Sequence, residues 1–425
     1  RQWRTLRTAP ARVQPEQGQM VTDTQRPVLS VEEAREHILS TVEVLEPERV
    51  SLLEAPGRVL AEVVAADRNI PPVTNAAMDG YAVRGSDLTG DTVRLRVVGE
   101  VAAGHEADVA VGPGEAARIM TGAPVPEGAD TVVRFERARQ EDGQVVILRA
   151  PSPGRNVRLA GEDVREGEVV LEPRKVLRPQ EIGMLAAVGH LKVEVIRRPR
   201  VGILGTGDEV VPPDQAPGPS QIRDANSYTI AAQVRRYGGL PMVLGVACDR
   251  EELVRHGMRQ ALGRGADLII TSGGVSVGDF DLVKQVLATE GAMHFWSLNM
   301  KPGRPMAFGE IGGIPLLGLP GNPVAAMIST ELFARPALLK MQGFTDWSLP
   351  AVQAHLIEPI ERKDGRRHYL RVYLRESAVG LEARLTGDQG SGILNSLVQA
   401  DGLAVIPEES RQLPAGTEVE VILLE

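Results

Sequence analysis

The sequence predicts a multidomain α/β plus β protein: an elongated helical region split by an inserted β domain, then a parallel-sheet α/β domain, then a small C-terminal β domain. Three observations carry this. At 425 residues the chain is too long for one core and implies about three or four domains. Its texture alternates along its length between helical spacing and short apolar runs broken by Gly and Pro. Asp267-Leu-Ile-Ile-Thr-Ser-Gly-Gly-Val-Ser-Val-Gly-Asp279-Phe-Asp281 reads as a buried strand, a glycine turn and a helix start with an acidic first turn.

Residues 1–25 are polar and aperiodic and read as a disordered tail. Arg1, Arg4, Arg7 and Arg12 precede any acid, which has some transit-peptide character; an extension upstream of a start at Met20 explains it equally well. Ser30 with Glu33 forms a capping-box pattern opening a helix through Val42. A second helical stretch is expected over residues 52–64, interrupted by Pro56-Gly57 and closed by Pro71-Pro72. Between residues 69 and 154 short alternating runs such as 93–98, 116–120 and 145–148 predict a β domain, and helical pattern returns near 179–187. From Arg200, strands at 201–204, 242–246, 268–270, 293–298 and 314–317 alternate with helices at 225–237, 250–262, 279–289 and 323–339. That order implies a parallel sheet with ligands at the carboxyl ends of its strands. Short strands follow from Phe344 to the end.

Composition narrows the function. A hydrophobic content of 43% and a charged content of 24% are ordinary for a globular protein. A net charge of −9 argues against nucleic acid or an anionic membrane as the main partner. One cysteine, Cys248, rules out a disulfide framework and a thiolate zinc site, and reads as a buried core thiol. No apolar run of membrane-spanning length and no signal peptide is visible, so a cytoplasmic protein is expected. Lysines are scarce (Lys175, Lys192, Lys284, Lys301, Lys340 and Lys363), which singles out Lys301.

Three loops follow predicted strands. Leu204-Gly-Thr-Gly-Asp-Glu209 lacks the spacing of a dinucleotide fingerprint, and no Gly-Lys pair exists for a phosphate loop of the Walker type. Ser272-Gly273-Gly274 is a tight left-handed turn on its own; beside Asp279 and Asp281 it suits a ligand bearing both phosphate and metal. Leu319-Pro320-Gly321-Asn322-Pro323 is a well-formed helix entry, and two such entries at one edge concentrate positive potential. Lys301-Pro-Gly-Arg304-Pro adds cations in a stiff frame. Asp249 could project to the same edge or cap the helix after it. The histidines, His190, His256, His294 and His355 among them, show no metal-ligand spacing.

Seven motifs then occur in order: 75–82 (Asn-Ala-Ala-Met-Asp-Gly-Tyr-Ala), 120–123 (Met-Thr-Gly-Ala), 161–163 (Gly-Glu-Asp), 205–209, 271–279, 301–305 and 319–324. Together they resemble the molybdopterin molybdenumtransferases, the bacterial MoeA type and the gephyrin E domain, over residues 26–425. The resemblance implies an elongated subunit. Its parts would be a split helical domain (26–68 and 155–198), an inserted β domain (69–154), a doubly wound molybdopterin-binding α/β domain (199–345) and a C-terminal β domain (346–425). It implies a homodimer whose cleft joins the inserted domain of one copy to the last two domains of the other. The reaction implied is insertion of molybdate into adenylylated molybdopterin with release of AMP, dependent on Mg2+. Molybdopterin adenylyltransferase and other molybdenum-cofactor proteins are the partner class it points to. By motif, Asp79, Thr121, Asp163, Glu209 and Asp279 would serve in chemistry, with Glu209 and Asp279 holding metal. Asp249, Ser272, Gly273, Gly274, Ser276, Lys301, Arg304, Pro320, Gly321, Asn322 and Pro323 would bind substrate, as would Arg371 and Ser391 in a C-terminal segment that varies more. Arg304 stands where the family often has Lys, and the two are not equivalent toward phosphate or molybdate.

Other classes fit less well. A molybdopterin adenylyltransferase would share the α/β domain without needing the inserted and C-terminal β domains. A non-enzymatic scaffold would need partner-binding regions beyond residues 1–25. An inactive homologue would be expected to lose Asp79 or Asp279.

Overall fold

The computed structural model describes residues 28–90, 92–274, 282–378 and 380–424. The chain divides into two compact units, one of the described residues up to Val44 with Arg198–Met341 and Thr345–Glu425, the other of Leu45–Arg197 with Gln342–Phe344.

In the first unit a six-stranded sheet runs Leu240–Ala247, Arg200–Thr206, Leu268–Ser272, Ile314–Leu319, Pro305–Ile311, Gly291–Ser297. The first four strands are parallel and the last two antiparallel. The central parallel strand is buried on both faces, with Leu268, Ile269 and Ile270 fully buried. Val254, Met258 and Ala261 of the helix Glu251–Gly263 pack on this sheet with Val283, Val286 and Leu287 of the helix Leu282–Glu290. Cys248, expected as a core thiol, is exposed. It lies one residue beyond the strand Leu240–Ala247, where the chain has already left the sheet.

The same unit holds a small closed barrel. Arg367–Ser377 pairs with Gly380–Leu385, which continues through Ala351–Leu356 and Glu418–Leu423 to Gly402–Ile406, and that strand pairs back onto Arg367–Ser377. Closure removes the exposed edges that an open sheet would present. The short strand Met300–Lys301, in the connection between two strands of the α/β sheet, joins the barrel in parallel with Arg367 and His368.

The helix Val31–Thr41 has the expected capping box, with Glu33 N–H donating to Ser30 Oγ and the Glu33 carboxylate receiving Ser30 N–H. It packs in the first unit rather than in a split domain. The Glu32 carboxylate pairs with Arg367, and Lys340 Nζ donates to Leu39 O.

In the second unit, residues 52–64 are not the expected helix. A single 3-10 turn, Leu52–Glu54, gives way at Gly57 (φ 76°) to extended chain, and Val64–Ala65 pairs with Val169–Leu171. Pro56-Gly57 breaks the helix, and Val59, Val63 and Val64 prefer the extended state. The flanking segments still meet: Pro47–Ser51 pairs with Lys192–Ile196, and Leu60, Leu177, Leu185 and Val193 share a core. Residues 80–147 form a six-stranded sheet ordered Thr131–Arg134, Gly80–Val83, Glu115–Ile119, Val93–Val101, Gln144–Ile147, Ala138–Glu141.

Among the described residues, no helix is long and apolar enough to cross a membrane.

Candidate functional site

Parallel strands send their carboxyl ends to one edge, and there three loops are tied together. Gly273 (φ 92°) and Gly274 (φ 63°) take the left-handed conformation directly after the strand Leu268–Ser272. Gly273 N–H donates to Leu319 O at 3.0 Å, and Thr206 Oγ1 donates to Ser272 O at 3.3 Å. Asn226 Nδ2 donates both to Ser272 Oγ at 2.8 Å and to Gly321 O at 2.7 Å. One amide thus joins the Ser-Gly-Gly turn to the Pro-Gly-Asn-Pro turn. Sequence alone does not single out Asn226; its signal is its place at the start of the helix Asn226–Arg236, which begins at this same edge.

A small cavity of about 120 Å3 sits here, lined by Thr206, Glu209, Asn226, Ser272, Gly321 and Pro323 among others. The Glu209 carboxylate folds back over Gly207 (φ 134°), so closely that a Cβ there would stand 2.6 Å from Glu209 Oε2. Asp249 lies beside it. Its backbone N–H donates to Asp208 Oδ1 at 2.9 Å, and the N-cap position of the following helix is Arg250, with no side-chain capping bond. Burial, then repulsion from Asp208 and Glu209, pushes the Asp249 carboxyl above its ordinary range. A cation at this edge would relieve that repulsion.

A larger cavity of about 600 Å3 opens between the sheet edge and the barrel. Lys301, Arg304, Pro320, Asn322, Arg371 and Ser391 line it, so six of the expected substrate-binding residues come together. Arg366, just before the barrel strand Arg367–Ser377, and His368 on it join them. The Pro-Gly-Asn-Pro turn faces both cavities. Asn322 occupies the N-cap position of the helix Pro323–Ser329 without a side-chain capping bond, while Val324 N–H donates to Ser391 O at 3.1 Å.

Arg371 is fully buried. Its Nε donates to Ser396 Oγ at 3.0 Å, and its Nη2 to Gly390 O at 3.0 Å and Asp388 O at 3.2 Å. Gln389 completes the clamp, accepting Arg371 N–H at 2.8 Å and donating to Arg371 O at 3.2 Å. The loop carrying Ser391 is therefore moulded around Arg371. Lys301, by contrast, is half-exposed, and its Nζ stands 3.6 Å from the Asp364 carboxylate. Burial would raise the Asp364 carboxyl, but its bonds to the His368 ring and the nearby Lys301 charge hold it below the usual range. Burial lowers the His368 pKa, against the raising effect of the Asp364 carboxylate.

Asp79, Thr121 and Asp163 lie in the second unit. Asp79 precedes the strand Gly80–Val83, and Oδ1 accepts Thr121 N–H at 2.7 Å and Thr121 Oγ1–H at 2.8 Å. Those two bonds hold the Asp79 carboxyl below its ordinary value. Because the folded value is depressed, its stabilisation is present above roughly pH 4, the unfolded value, and is lost as pH falls through the folded one. Replacing Thr121 by Val removes the hydroxyl but keeps the amide, so the Asp79 pKa should rise part of the way to roughly 3.9. A carbon-detected NMR titration checks this, and an unchanged pKa would remove the hydroxyl from the account. Asp163 is exposed, its N–H bonded to Ile70 O at 3.0 Å. Ser276, Asp279 and Asp281 lie outside the described residues.

Among the described residues, no group of three or more His, Cys, Asp or Glu side chains is placed to hold a metal ion. The site offers cations and polar side chains on one side and a carboxylate pair on the other. That combination can seat a phosphate ester and a tetrahedral oxyanion together.

The chain is similar to known proteins over most of its length. The chain matches three family models: the MoeA N-terminal region (domain I and II) over residues 29–189, a probable molybdopterin binding domain over 202–340, and the MoeA C-terminal region (domain IV) over 353–424. It is 37% identical over 413 residues to a molybdopterin molybdenumtransferase from Nostoc, covering 94% of each chain. It is 35% identical over 401 residues to the Haemophilus influenzae molybdopterin molybdenumtransferase, covering 93% of this chain and 98% of the relative. The crystal structure of a molybdopterin biosynthesis MoeA protein from Pyrococcus horikoshii superposes with a TM-score of 0.82 at 33% identity, covering 94% of this chain and 100% of that one.

Proposed function

The chain belongs to the molybdopterin molybdenumtransferase family, and from that premise we propose that it inserts molybdate into adenylylated molybdopterin, releasing AMP, with Mg2+ bound. The supporting observation is the large basic cavity at the Pro-Gly-Asn-Pro turn, which is shared with the small cavity lined by Ser272. Molybdate, a pterin phosphate and an adenylate are all anionic, so the site needs donors and cations rather than a nucleophile. In this reading Lys301, Arg304, Arg366 and Ser391 take the oxyanion. Ser272 and the turn at Gly273, Gly274 and Pro320–Pro323 orient the phosphate-bearing pterin.

Mg2+ takes one or two carboxylates and completes its shell with water and substrate phosphate. Glu209 and Asp249 suit it, since Asp249 is already penalised by neighbouring negative charge. Mg2+ would neutralise charge on the adenylate phosphate. The Asp79 carboxylate, held ionised by Thr121, and Asp163 would serve from the inserted domain of a second copy in a homodimer, the arrangement the resemblance implies.

Release of AMP from adenylylated molybdopterin, followed with purified protein and Mg2+, tests the reading. Molybdate-dependent release with formation of active cofactor is expected, with specific activity falling on dilution below the dimer range. Tight binding of the adenylate with no release in either condition would overturn it.

A further inference from the structure

We propose that Asp364 is an internal counter-anion for the basic cavity, holding Lys301 at its mouth until an oxyanion takes the ammonium away. The inference deepens, and rests on, the reading of that cavity as an oxyanion site. Asp364 Oδ2 stands 3.6 Å from Lys301 Nζ, close enough for attraction but beyond an ordinary hydrogen bond. The carboxylate itself is fixed: His368 Nε2 lies 2.9 Å from Oδ1 and 3.1 Å from Oδ2.

The backbone sets this arrangement. Lys301 pairs in parallel register with His368, so the lysine and the imidazole that anchors Asp364 rise from neighbouring strands. Lys301 and His368 both line the large cavity. Asp364 instead lines two neighbouring cavities, one shared with Arg304 and Arg366 and the other with Lys301 and His368. The carboxylate therefore flanks the basic cavity at the point where the lysine leaves it. A permanent structural pair would be short and buried. Here the Lys301 side chain is 56% exposed and Asp364 27%, and an exposed pair is worth little against an entering dianion. A flexible four-carbon stem carrying a point charge can serve both positions.

The consequence is a cavity whose cation is partly neutralised when empty, so that oxyanion affinity is held down and exchange stays easy. Asp364→Asn keeps a group that can bond His368 while removing the competing charge. Molybdate binding to the full-length protein, measured by calorimetry for wild type, Asp364→Asn, Lys301→Ala and the double variant, tests this, with thermal unfolding as a folding control. Asp364→Asn is expected to bind roughly three- to tenfold more tightly, and the double variant to match Lys301→Ala. Unchanged or weaker binding by Asp364→Asn, with Lys301→Ala still impaired, would overturn the counter-anion and leave the oxyanion site standing. Equal tightening in the Lys301→Ala background would also overturn it, because Asp364 would then repel the anion without involving Lys301. If Lys301→Ala binds as wild type does, the oxyanion reading of the cavity falls, and this inference with it.

Discussion

Gly273→Ala should abolish turnover while costing about 2–4 kcal/mol of stability. Two independent penalties meet at this position. The backbone sits at φ 92°, where a side chain is strained, and a Cβ would stand 2.5 Å from Thr206 O and 2.7 Å from Thr206 Oγ1. Thr206 belongs to the adjacent strand, so it cannot yield without disturbing the sheet edge. The turn must move instead. That breaks the 3.0 Å bond from Gly273 N–H to Leu319 O and displaces Ser272 from Asn226. Denaturant unfolding with molybdate-dependent AMP release checks both parts. A variant with wild-type stability and turnover would show that the turn tolerates a shift and that its conformation is not what the site needs.

Arg371→Ala should be the most damaging single change in the barrel. It strips partners from Ser396 Oγ and from the carbonyls of Asp388 and Gly390, and leaves a void where the fully buried guanidinium stood. A cost of about 2–4 kcal/mol is expected from the unpaired acceptors, with molybdate affinity falling because Ser391 shares the loop. Arg371→Lys should not rescue either property, since an ammonium cannot reproduce the planar fork. Urea titration beside molybdate calorimetry distinguishes the roles. Full stability with lost affinity would make Arg371 a direct ligand only, whereas lost stability together with lost affinity fits a residue that moulds the loop.

Much of this was legible in the sequence because it is carried by local chemistry. The Ser30–Glu33 box, the alternation of strand and helix from Arg200, and the glycines at 273 and 274 all act over a few residues. The helix expected at residues 52–64 does not form because Pro56-Gly57 and the β-branched valines around it override the helical spacing of the apolar residues. Cys248 is exposed although its residue type favours burial, because one step past a strand end puts it in a loop. Asn226, Asp364 and the buried state of Arg371 were illegible for another reason. Each depends on partners far away in sequence: Asn226 on Ser272 and Gly321, Asp364 on Lys301, and Arg371 on the loop at 388–396.

The strand Met300–Lys301 lies between two strands of one sheet in sequence yet hydrogen-bonds into another. A fragment ending before the barrel would keep the turns at 273 and 320–323 but would lose Arg366, His368, Arg371 and Ser391, and Lys301 would have nothing to align it. The two halves of the cavity are thus heritable only as one piece. Recombination at the boundary between the α/β sheet and the barrel would leave either half without its counterpart, however well each one folded.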